Sequence, residues 1–175
     1  LLTNNVLTGF YSIAERIAGF IQTFPLSSWS QAVFPRLSKI YKKNKIRALA
    51  IMYKVQDVTN TTALICLPIV FLLAHLAVRV VCGYPYPEVT SLLRILILSL
   101  FFVNANAFKV QFLLVSGRTD HYSRIHIGMA LIGVPLIFLC ILLFSYRGAA
   151  IATIFIEMGI LVLTSKKIST LTYKT

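Results

Sequence analysis

Carboxylates are scarce in this chain: five Asp and Glu stand against seventeen Lys and Arg in 175 residues. No loop gathers acids or histidines, and the longest connecting segment is basic, so a membrane-embedded sugar-transferring or polymerising enzyme lacks the groups it would need. Cysteine is almost absent. Cys66, Cys82 and Cys140 are scattered, form no CxxC pair and have no histidine beside them, which points to small core residues rather than to a disulfide or a metal site. His75, His121 and His126 have no metal-ligand spacing. A nucleophile motif and a phosphate-binding glycine loop are also missing. The chain is therefore expected not to be an enzyme and to carry neither metal nor cofactor. It opens at Leu1 without a charged-then-apolar leader, so a piece of a longer protein is expected.

What the chain does have is apolar surface. Hydrophobic residues make up 58% of it and mean hydropathy is +0.82, above the roughly 45–50% apolar content of soluble domains. These residues gather in blocks of membrane-spanning length. The expectation is an all-α, polytopic membrane bundle, a single unit over 1–175 with about five transmembrane helices at roughly 8–35, 57–81, 88–115, 121–145 and 148–165. Pro25 is expected to break the first and Pro35 to end it, while Pro68 and Pro135 should kink the second and fourth.

A net charge of +12 would ordinarily raise the question of nucleic acid. Here the basic residues lie between apolar blocks, so topology and anionic lipid headgroups explain them better. The link 36–54 holds seven basic residues, the link near 109–124 three and the tail three, against Arg79, Arg94 and Arg147 on the other side. The positive-inside rule then places the first and third links and the C-terminus in the cytoplasm. The link 36–54 also carries Leu37, Ile40, Tyr41, Leu49, Met52 and Tyr53. It reads either as a solvated loop or as an amphipathic helix on the inner leaflet.

The first span holds most of the chemistry. On a wheel of 100° per residue, Tyr11, Glu15, Gln22 and Trp29 share one arc, with Ser12, Arg16, Thr23, Ser27 and Ser30 beside it. Phe10, Ile13, Ala14, Ile17, Phe20, Ile21 and Phe24 lie opposite. Seven large apolar residues favour insertion by roughly 3.5 kcal/mol, while Glu15 and Arg16 cost about 2.5–3.5 kcal/mol each at mid-membrane. Such a helix needs water or polar neighbours along one flank. Glu15 and Arg16 point about 100° apart and do not form an ideal helical pair. Either each bonds another helix and holds the bundle, or Arg16 meets an anionic headgroup such as a phosphate and Glu15 serves as a proton-sensitive or cation-binding carboxylate. Gln22, Thr23, Ser27, Ser28 and Gln31 are suited to bonding a sugar.

Elsewhere, Asn104, Asn106, Lys109 and Gln111 cluster near the inner end of the third span, with Lys109 expected to snorkel. Gly148, Ala149, Ala150, Ala152 and Thr153 should let the fifth span pack closely, and Glu157 within it needs a partner.

Several stretches, taken in order, resemble a known pattern. GFYSIAERI followed by Pro25 and the run Ser30-Gln31-Ala32-Val33-Phe34-Pro35-Arg36-Leu37-Ser38 looks like the eighth span of bacterial polysaccharide (Wzx-type) flippases. CGYPYPEVTSLLRIL resembles the outer loop before the tenth span, LLVSGRTDHY an inner loop, and RGAAIATIFIE the opening of the twelfth. The resemblance implies the second bundle of a MATE-like flippase, a transporter of undecaprenyl-pyrophosphate-linked oligosaccharide units across the bacterial inner membrane for surface polysaccharide and O-antigen synthesis. It implies that Tyr11, Glu15, Arg16 and Gln22 lie on a cavity-lining helix; with Thr23 and Ser27 they are the expected substrate-binding residues. Its implied partners are the lipid-linked oligosaccharide, membrane lipids, a missing N-terminal bundle and the polysaccharide polymerase machinery, with no nucleic acid. The chain would correspond only to spans eight to twelve, and half a cavity does not alternate access. A non-transporting membrane fragment, an assembly partner, or a MATE-like exporter of another cargo are the alternatives.

Overall fold

The computed structural model describes residues 5–172, apart from the side chains of 24–30 and 171–172. The described residues are helical throughout: α1 (Asn5–Lys43), α2 (Lys45–Cys82), α3 (Pro87–Val115), α4 (Thr119–Phe144), a 3-10 turn at Ser145–Arg147, and α5 (Gly148–Thr172). Each apolar block expected from hydropathy lies on one helix, but several helices run past the block.

The largest difference is at the first link. Helix α1 does not end near Pro35 but continues to Lys43, and α2 begins two residues later. Asn44 makes the corner alone. Its extended backbone leaves the helix, and its side-chain oxygen accepts from the Arg47 amide at 2.9 Å, an N-cap for α2. The basic residues of 36–54 are therefore neither a loop nor a separate helix. Leu37 and Met52 are fully buried, with Ile40, Tyr41 and Leu49 packed around them. The apolar face of this segment is used inside the bundle, and Lys and Arg, good helix formers, occupy the outside. At 1.5 Å per residue, α1 and α2 are each almost 60 Å long, about twice the thickness of a hydrocarbon core.

The other corners rest on local chemistry. Gly83 takes φ 71° after α2, and Pro87 opens α3 with Glu88 in its first turn, where a proline costs nothing and an acid suits the dipole. Gly117, also at φ 71°, ends α3 in a Schellman pair: its amide donates to Leu114 and that of Arg118 to Leu113. At the last corner a Cβ on Gly148 would overlap the Cys140 carbonyl, so only glycine fits.

Three stretches among the described residues are long and apolar enough to cross a membrane: Lys45–Cys82, Pro87–Val115 and Thr119–Thr170. The last is a hairpin. Gly133 lies against Ile156 and Gly159 against Met129, a descending register that only antiparallel helices give. Helix α1 is not among the three, because polar residues interrupt it.

Helix α3 lies at the centre and packs against α1, α2 and α5, while α4 packs chiefly on α5. The core has two parts. Ala14, Ile17 and Ala18 of α1, Ala74 and Val78 of α2, Val89 to Ile97 of α3 and Ala150 of α5 close one end. Leu37, Ala48, Met52, Phe108, Phe112, Leu113 and Ile168 close the other. Helices α1, α3 and α5 thus run in one direction and α2 runs against them, as does α4 against α5. Ala150 and Ala152 are fully buried, so the small residues at the start of α5 do permit close packing.

Candidate functional site

Between the two apolar clusters lies a polar waist. Gln56 of α2 is 2% exposed. Its Nε2 donates to the Asn104 carbonyl and to the Asn60 side chain, each at 2.8 Å, and its Oε1 accepts from the Phe108 amide at 3.2 Å. Residues 104 and 108 are the two ends of one i→i+4 step of α3, so the Gln56 amide reads that turn as a peptide would. Beside it a cavity of about 190 Å³ is lined by Gln22, Thr59, Thr62 and Asn104 together with Ile21, Leu67 and Leu100. The hydroxyls of Thr59 and Thr62 donate to their own helix at Val55 and Val58, and the Asn104 amide to Leu100. The Asn106 carbonyl oxygen and the Thr164 hydroxyl are buried without hydrogen-bond partners. The space has room for only a few waters and is too small for an oligosaccharide.

The residues expected to form one lining separate into three groups. Gln22 lines the waist cavity. Tyr11 is half-buried, and its hydroxyl hydrogen-bonds Thr153 of α5. Thr153 spends its own proton on the Ala149 carbonyl, so Tyr11 is the donor. Glu15, one turn further on, stays within electrostatic range of Tyr11. Glu15, Arg16 and Thr23 are exposed on the outer side of α1. The Ser27 side chain, like those of Ser28 and Trp29, lies outside the described residues. The apolar arc also shifts: Ala18 is buried at the contact with α3, and Phe20 faces outward at 74% exposure.

Glu15 and Arg16 flank Ala14 and Ile17, which meet Ala74 and Val78 of α2 in the first cluster. At the same depth α2 exposes Leu72, Leu73, Leu76 and Val80. One side of the bundle thus presents aliphatic chains and another presents a carboxylate and a guanidinium. The Lys109 ammonium, on α3, donates to the Ser165 hydroxyl of α5 at 3.0 Å. Glu157 is half-buried on α5, within electrostatic range of His126 on α4.

Gln56 was not singled out by sequence, because the second block was expected to start at 57. The signal was there: QDVTNTT at 56–62 is a polar run entering an apolar helix, with Gln56, Thr59 and Asn60 on one face. Compared with protein-family models, with curated proteins and with solved structures, the chain matches none.

Proposed function

We propose that the chain is the C-terminal bundle of a flippase that carries polyprenyl-pyrophosphate-linked oligosaccharides across the bacterial inner membrane, with five crossings and a cytoplasmic C-terminus. The observation that carries this reading is the exposed pair Glu15 and Arg16 at the depth where α2 is aliphatic. Facing lipid, the two would cost about 5–7 kcal/mol together, so that flank needs water or a polar partner. The waist cavity is too small for the cargo, so in this reading the passage runs outside this bundle, between α1 and a second bundle. The ordered flippase-like stretches and the basic residues on alternate links support the same reading. Arg16 would hold the lipid pyrophosphate and Glu15 would couple to ion or proton movement, while rocking of the two bundles alternates access. The chain does no bond chemistry in this scheme.

The test is Arg16→Ala in the complete transporter, measured as surface polysaccharide at matched expression. Loss of export with normal membrane levels is the expected result, and Arg16→Lys should restore part of it. Unchanged export removes Arg16 from the mechanism and favours an assembly partner whose α1 flank only packs against another helix.

A further inference from the structure

A second charged feature lies at the open end of the α4–α5 hairpin. The glycine contacts fix the register there: Met129 meets Gly159 and Gly133 meets Ile156, which sets Ile125 against Leu163 and His121 against Lys167. These residues, with Arg124 and Lys166, line a cleft of about 410 Å³. Leu163, Lys166, Lys167 and Thr170 share one face of α5 by their 3–4 spacing, and His121, Arg124 and Ile125 share the facing side of α4. Arg124, Lys166 and Lys167 pair with no carboxylate among the described residues. Asp120, the acid closest in sequence to Arg124, lies in the first turn of α4 one turn before it and does not line the cleft.

The Thr170 hydroxyl donates to the carbonyls of Lys166 and Lys167, both at 2.9 Å. Its proton is spent, so the free donors are the ammonium groups, the guanidinium and the His121 ring. Helices α4 and α5 are antiparallel, so their dipoles offset one another here and the side chains set the field. Ile125 and Leu163 supply an apolar wall beside the cations. Three cations beside an aliphatic wall match a phosphate that carries a glycerol and the first methylenes of acyl chains.

We propose that this cleft binds the phosphate of an anionic phospholipid headgroup. The site is distinct from the α1 flank and does not depend on transport. It needs only that the hairpin ends at a membrane surface. An inner-leaflet lipid held here ties the open end of α4 to α5, where no glycine contact does so.

The test is native mass spectrometry of the whole chain in detergent, titrated with phosphatidylglycerol or phosphatidylcholine. Wild type should retain one phosphatidylglycerol selectively. Arg124→Gln/Lys166→Gln/Lys167→Gln should weaken retention by roughly a hundredfold, from about fivefold per cation. Lys166→Arg/Lys167→Arg should keep it, and Lys42→Gln/Lys43→Gln should leave it unchanged. Excess inorganic phosphate distinguishes the sources: retention in its presence identifies the lipid, and displacement identifies free phosphate as the competing ligand of the same anion site. Equal retention in the triple variant, or equal loss in the Lys42/Lys43 control, overturns the proposal. Circular dichroism of each variant separates lost binding from lost folding.

Discussion

Gln56 on α2 and Asn104 on α3 are joined by a 2.8 Å hydrogen bond from a side-chain amide to a main-chain carbonyl, and the same amide returns to α3 at Phe108. The central helix is thereby held to its neighbour by a group that recognises backbone rather than side chain. Such a bond fixes the axial position of α2 against α3, which apolar packing alone leaves loose.

Gln56→Ala should accordingly lower stability by about 1–2 kcal/mol, the range for a bridging polar group whose loss leaves others unsatisfied inside a membrane bundle. Thermal unfolding in detergent measures it, and hydrogen exchange should rise at the Phe108 amide. A variant as stable and as protected as wild type would show that the clamp contributes nothing.

The two glycines of the hairpin should behave differently. Gly148→Ala drives a Cβ into the rigid Cys140 carbonyl and should destabilise by about 2 kcal/mol or more. Gly159→Ala meets only the flexible end of Met129 and should cost under about 1 kcal/mol. Paired thermal melts decide this, and equal effects would contradict the corner geometry.

Tyr11→Phe should remove only the bond to Thr153, at a cost of about 0.5–1 kcal/mol. Arg16→Ala, on the uncovered flank, should leave the stability of this chain unchanged within about 0.5 kcal/mol. The contrast separates the residue that packs from the one to which the proposal assigns the lipid pyrophosphate.

Topology is open to reporter fusions. The proposed five crossings and positive-inside orientation predict that periplasm-active alkaline phosphatase works when fused after Tyr84 or Ser145. It should be silent after Asn44, Gly117 or Thr175. Activity at Asn44 would mean that α1 does not cross.

The positions of the helices were legible because apolar blocks of bilayer length leave few alternatives. The ends were less legible. Pro35 reads as a stop, yet α1 runs on to Lys43, since one proline removes a single backbone bond and packing of Leu37 and Tyr41 carries the helix past it. The corner at Asn44 rests on a capping bond to Arg47, a signal hidden among lysines. A helical wheel gives period but not neighbours. It put Tyr11 in one arc with Glu15, whereas Tyr11 is half-buried beside Thr153 of α5 and Glu15 is exposed. Gln56 was missed because hydropathy marks where a span begins, and a buried amide at that border looks like loop.

The central claim is that the α1 flank bearing Glu15 and Arg16 lines an aqueous passage. Single cysteines at 15, 16 and 23, in the full-length protein with Cys66, Cys82 and Cys140 replaced, measure this directly. All three should react with a membrane-impermeant thiol reagent, while cysteines at the exposed aliphatic positions 72 and 76 of α2 should not. If 15 and 16 are as unreactive as 72 and 76 in correctly folded protein, no water reaches that flank and the passage is not there.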